Sequence, residues 1–82
     1  MFLKIIDEGG PGFTHLFDCE SVAYEFNDGH IIFSIRYKSG KEEDHQSQID
    51  GRDSVDIYFM SDNGKTIDTL HYGTHNKKRN NF

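Results

Sequence analysis

The sequence predicts an all-β domain: a small antiparallel sandwich or partly open barrel of six or seven strands, built from consecutive hairpins. Three observations predict it. Eight Ile, seven Phe, four Tyr and two Val stand against three Leu and one Ala. Branched and aromatic side chains suit a pleated, half-buried surface, whereas Ala and Leu are the residues a helix accommodates at least cost. Two turn dipeptides, Asp28-Gly29 and Asn63-Gly64, each separate runs of alternating apolar and polar residues, a strong short-range hairpin signal. No stripe of helical period extends over ten residues.

The elements follow in order. Phe2–Ile6 alternates loosely, with Leu3 and Ile5 on one side and Lys4 on the other, and reads as a first strand. Asp7-Glu8-Gly9-Gly10-Pro11-Gly12 marks a turn. Phe13–Asp18 resumes alternation, with Phe13, His15 and Phe17 on one face and Thr14, Leu16 and Asp18 on the other. These two segments make a first hairpin.

The second hairpin is the most strongly specified. Val22, Tyr24 and Phe26 share a face before Asp28-Gly29, and Ile31, Phe33, Ile35 and Tyr37 share one after it. A two-residue type I′ turn at Asp28-Gly29 pairs Asn27 with His30, Phe26 with Ile31, Tyr24 with Phe33 and Val22 with Ile35. A slip of one residue would turn the whole apolar row to solvent.

Ser39–Asp53 is polar, with Ile49 its one large aliphatic residue. Ser39-Gly40 can send Lys41–Gln48 back as a charged edge strand, which resists pairing with other molecules. An ordered loop, or a helical turn at Glu42–Gln46, fits the same residues. Ser54–Ser61 then alternates cleanly, Val55, Ile57 and Phe59 against Asp56, Tyr58 and Met60. A two-residue loop at Asn63-Gly64 would pair Ile57 with Leu70, Val55 with Tyr72 and Met60 with Ile67; a type I turn with a glycine bulge would pair Phe59 with Ile67 instead. The first register joins more apolar partners. Residues 1–74 form the single β domain in this reading, and residues 75–82 a flexible polar tail.

At 82 residues the core is small, supplying about 3–5 kcal/mol of net stability. Association often supplements such a core, so a homodimer is expected. One cysteine excludes an intramolecular disulfide framework. No apolar run reaches the roughly 18 residues of a membrane span, and the opening residues are too short for a signal peptide. The expectation is a soluble, cytoplasmic protein. Its net charge of −5 divides into −8 over residues 1–76 and +3 from Lys77, Lys78 and Arg79. An acidic body disfavours nucleic acid, whose nonspecific affinity comes from neutralised phosphates, and suits a basic partner surface or plain solubility.

Chemistry-bearing patterns are few. His15-x-x-x-Cys19 and His71-x-x-x-His75 resemble a four-ligand zinc set in residue type. On an extended strand, however, four residues span about 13 Å, far beyond a metal bond of about 2 Å. Bends near Asp18 and Gly73 would be required; Gly73 permits the second, and nothing comparable precedes Cys19. No metal and no cofactor are therefore assigned. Cys19 lies between Asp18 and Glu20, whose charges raise a thiol pKa, and reads as a buried strand-end thiol. No nucleophile elbow, phosphate-binding loop or cofactor fingerprint is present, so no enzymatic activity is expected.

Tyr58, Met60 and Ile67 lie opposite the Val55–Ile57–Leu70 row, and Ile6, Ile32 and Leu16 fall off the main rows. They fill the second side of a closed barrel, the simpler reading, or form an exposed apolar patch. Scarce alanine, short hairpins, an Asn-Gly turn and the missing catalytic signature give the chain a general texture. In that texture it resembles the small acidic β-proteins encoded by bacteriophages and mobile elements. The resemblance implies an accessory protein acting by binding, such as an inhibitor of a host or defence protein. The leading expectation is a non-enzymatic protein-interaction domain, with Glu42, Glu43, Asp44, Asp53, Asp56 and Tyr58 meeting a basic partner. The alternative is a binder of a nucleotide-like ligand, with Arg36, Arg52 and His71 on phosphate and Tyr37 or Tyr72 on the base.

Overall fold

The computed structural model describes residues 1–10 and 12–73. Seven strands follow in order: β1 (Phe2–Glu8), β2 (Gly12–Leu16), β3 (Cys19–Asn27), β4 (His30–Tyr37), β5 (Glu42–Gln48), β6 (Ser54–Met60) and β7 (Thr66–Tyr72). They form two antiparallel sheets, a four-stranded one ordered β2-β1-β6-β7 and a three-stranded one ordered β3-β4-β5. No helix occurs among the described residues. The all-β sandwich is thus the architecture, and both sheets are open, so no closed barrel encloses the second faces. The tail at residues 75–82 lies outside the described residues.

The β3–β4 hairpin has the register its turn chemistry dictates. Asn27 pairs with His30, Phe26 with Ile31, Tyr24 with Phe33 and Val22 with Ile35. Asp28 and Gly29 both carry the positive φ that a type I′ turn requires, 50° and 78°. The two apolar rows are not equally covered. Ile31, Phe33 and Ile35 are buried, while Tyr24 and Phe26 remain 41% and 51% exposed, because β3 is an edge strand. Those two rings reach across the sandwich instead, Tyr24 to Phe59 at 5.6 Å and Phe26 to Tyr72 at 5.1 Å between centroids.

Of the three conformations open to the polar segment, the edge strand is the one formed. β5 pairs with β4 from Arg36↔Glu42 to His30↔Gln48. β4 has β3 on its other side and presents a complete row of backbone groups, which offsets the weak strand propensity of Glu, Asp and Gln.

The β6–β7 hairpin departs from expectation at its tip. Ile57 pairs with Leu70 and Val55 with Tyr72, but Met60 pairs with Thr66 rather than Ile67. Gly64 has positive φ (86°) and Asn63 does not, so the loop is not type I′. Ser61 and Lys65 close a three-residue loop through Ser61 N–H to Lys65 O at 2.8 Å. The Ser61 hydroxyl, hydrogen-bonded to Asn63 Oδ1, also accepts from Lys65 N–H. This side-chain bonding favours the wider turn. A bulge at Ile67 then absorbs the extra residue and restores the apolar register.

Two features lay beyond local pattern. β1 and β6 pair along their whole length, Leu3↔Phe59, Ile5↔Ile57 and Asp7↔Val55 on the inner row, so the first and third hairpins share one sheet. A bend also exists before Cys19: Asp18 takes φ 58° and carries the chain from one sheet to the other. Asp is among the few non-glycine residues that adopt this conformation at modest cost. Leu3, Ile5, Cys19, Ile31, Phe33, Ile35, Val55, Ile57 and Phe59 form the core. Gly73 closes the fold against Asp53 and Ser54, where a Cβ would sit 2.7 Å from the Asp53 carbonyl oxygen. Asp62 ties three segments together, meeting the Met1 amino group at 2.9 Å and Lys38 Nζ at 2.6 Å. Those two cations hold its carboxyl well down, at about 2.

Candidate functional site

The outer face of the four-stranded sheet is the most distinctive surface. Strand alternation sends Leu3, Ile5, Ile57 and Phe59 inward, and leaves Phe2, Lys4, Ile6, Asp56, Tyr58 and Met60 on the other side. On β2 the inner residues are Thr14, opposite Ile5, and Leu16, opposite Leu3. Phe13 and His15 therefore face outward, and Phe17 follows the same phase. The registers align two cross-strand rows on this face, His15–Lys4–Tyr58–Thr69 and Phe13–Ile6–Asp56–His71.

Aromatic contacts run along it. Phe13, His15 and Phe17 stack in series, with centroids 6.1 and 5.6 Å apart and planes within 9° and 11°. Phe2 lies 5.4 Å from Phe17. Lys4 Nζ sits 6.0 Å from the Phe13 ring and 5.7 Å from Tyr58, within cation–π range. At the β7 end, His71 Nδ1 donates to Asp56 Oδ1 at 2.7 Å, and its ring meets Tyr58 edge-on at 5.9 Å. Phe13 and Phe17 nevertheless stay 63% and 58% exposed, and Ile67 61%. Aromatic groups prearranged on a rigid sheet lose little side-chain entropy on docking, and contiguous exposed apolar patches mark interaction sites.

The acidic residues singled out from sequence do not converge. Asp56 and Tyr58 lie on this face. Glu42 and Asp44 lie on the outer side of the three-stranded sheet, where Glu42 Oε1 pairs with Arg36 Nη2 at 2.7 Å. Glu43 belongs to the inner row of β5 and accepts a hydrogen bond from the Tyr37 hydroxyl. That bond, aided by burial and the carboxylate's charge, pushes the Tyr37 phenol up to about 12. Asp53 lies in the β5–β6 connection, beside Gly9.

The alternative ligand set is equally dispersed. Arg36 and Tyr37 are engaged on β4 as described, Arg52 meets Asp7 beside the β1–β2 turn, His71 is on the aromatic face, and Tyr72 packs inward on Phe26. The zinc ligand types are separated too. Cys19 is buried, its Sγ donating to Leu16 O at 3.3 Å, and burial pushes the thiol up. His15 and His71 lie on strands with β1 and β6 between them, and His75 is outside the described residues. Among the described residues, no group of three His, Cys, Asp or Glu side chains could hold a metal.

Phe2, Lys4, Phe13, His15 and Phe17 were not recognisable as a site from sequence. The alternation of Phe13, His15 and Phe17 was visible, but aromatic residues read as core until the pairing with Leu3 and Ile5 shows which phase points inward. No helix among the described residues is long and apolar enough to cross a membrane. No family model, curated protein or solved structure matches the chain.

Proposed function

We propose that this chain is a non-enzymatic protein-interaction domain that docks a partner protein on the outer face of its four-stranded sheet. The observation that supports this reading is the exposed, mutually stacked Phe13–His15–Phe17 ladder beside Lys4 and Tyr58. Aromatic residues are enriched in the well-buried centres of interfaces and dominate their energetics. The −8 body would draw a partner carrying basic residues around an apolar centre, charge acting chiefly on the rate of encounter. As a cytoplasmic accessory protein of a phage or mobile element, such a domain would inhibit by covering its partner's surface.

Affinity capture with purified protein, from its native or infected host, tests the reading with two variants. A Phe13→Ser/Phe17→Ser variant is expected to lose a partner that wild type retains, with affinity falling at least about tenfold. A Glu42→Lys/Asp44→Lys variant is expected to keep that partner, with slower association. The reverse pattern would move the contact to β5 and sink the assignment of the aromatic face. A wild-type dimer in light scattering that the aromatic variant dissociates would identify a second copy as the occupant.

A further inference from the structure

A cleft of about 320 Å³ opens between the edge strands β2 and β5, on the inner side of the sandwich. Its position follows from the sequence of β5. Opposite Ile5, Asp7 and Thr14 of the four-stranded sheet, β5 offers His45 and Ser47 rather than aliphatic residues. Side chains of this kind do not close an apolar core; they leave a polar recess.

Asp7 is the unusual member of the lining. It continues the inner row of Leu3 and Ile5 and is 6% exposed. Its Oδ1 has no hydrogen-bond partner, and neither has Nε of Arg52. The two side chains are adjacent but poorly matched, with Arg52 Nε 3.5 Å from Asp7 Oδ2. Arg52 is anchored elsewhere, donating through Nη1 to Gly9 O at 2.8 Å. One buried acceptor and one buried donor therefore stand side by side just behind the cleft wall, shielded from solvent, on two residues that line it. Buried polar groups are overwhelmingly paired, and an orphaned carboxylate oxygen is among the costlier exceptions.

The complement of this pair is restricted. A cation approaching Asp7 meets the Arg52 guanidinium, and an anion approaching Arg52 meets the Asp7 carboxylate. A neutral hydroxyl group donates one hydrogen bond and accepts others, so adjacent hydroxyls answer both orphans. The terminal torsion of an aspartate is broad and two-fold, which lets the Asp7 carboxylate turn toward the cleft. Thr14 and Ser47 add further hydroxyl groups around the recess. The volume lies at the small end of ligand sites.

We infer that the β2–β5 cleft binds a neutral polyhydroxylated molecule of monosaccharide size, with Asp7 accepting from it and Arg52 donating to it. The site is separate from the aromatic face, which lies on the other side of the same sheet, so the two assignments stand or fall independently.

Amide chemical shifts of the isotope-labelled full chain test it at neutral pH. The probes are glucose, galactose, mannose, ribose and glycerol, with sodium acetate and methylammonium chloride as charged comparisons. Saturable shifts at Thr14, His45 and Ser47 are expected with at least one neutral probe. Affinity for it should fall by about tenfold or more in Asp7→Asn, as for loss of a charged acceptor. It should fall about threefold in Ser47→Ala, as for one neutral hydrogen bond. Should Asp7→Asn fail to fold, Ser47→Ala decides alone. The inference is overturned by absence of saturable shifts with every neutral probe, by affinity unchanged in the variants, or by tighter binding of either charged probe. Phe13→Ser/Phe17→Ser is expected to leave the affinity unchanged.

Discussion

Tyr37 and Glu43 show how one contact couples a polar edge strand to the interior. Tyr37 ends β4 opposite Cys19, and its hydroxyl donates to Glu43 on the inner row of β5. Because the folded phenol holds its proton up to about 12 against an ordinary value of 10.0, its contribution to stability is fully present below pH 10. It is lost as pH rises toward 12. Spectroscopic titration of phenolate formation should find one tyrosine ionising near 12, and Glu43→Gln should return that tyrosine toward its ordinary value. A Tyr37 midpoint unchanged in Glu43→Gln would remove the carboxylate as cause. The pairing was invisible in sequence, where Glu43 read with Glu42 and Asp44 as an acid meeting a basic partner; the strand's period of two sends it inward while Glu42 and Asp44 point out.

Among the elements, β5 separates local propensity from context most clearly. Residues 42–48 have little apolar character, yet the segment is extended because β4 supplies its ladder. Its outward charges also guard a sheet edge. Asp44 stands in the outer row with Ala23 and Ser34, where a carboxylate discourages a second sheet from docking. Asp44→Val/Gln46→Val should raise strand propensity while exposing an apolar edge. Light scattering should then show concentration-dependent association beyond that of wild type, and a variant that scatters as wild type does would refute the guarding role. The β6–β7 hairpin makes the complementary point. Its apolar register was readable from Val55, Ile57, Leu70 and Tyr72, whereas the three-residue loop and the Ile67 bulge depend on hydrogen bonds between Ser61, Asn63 and Lys65.

At the scale of the whole molecule, a few side chains carry both sheets together. Phe33 is fully buried in β4 and contacts Phe59 of the other sheet at 6.3 Å between centroids. Removing a buried phenylalanine costs about 3–5 kcal/mol, comparable to the whole stability of about 3–5 kcal/mol expected for a domain this small. Phe33→Ala should therefore be largely unfolded at room temperature by circular dichroism and amide dispersion, while Phe13→Ala, exposed on the aromatic face, should keep the native spectrum. A folded Phe33→Ala would mean that the core is more redundant than the contacts indicate. The sequence by itself determined the all-β class, the β3–β4 register to the residue and the body of the β6–β7 register, because turn chemistry and alternation act over short chain distances. Only the tertiary structure decided that β1 joins β6, that the sheets stay open, and that Phe13, His15 and Phe17 face solvent while Asp7 is buried. Those outcomes depend on which face of each strand meets strands about fifty residues away, and period-two alternation is the same viewed from either side. The short-range pattern names the rows; long-range pairing chooses the side that becomes the core and the side left exposed to solvent.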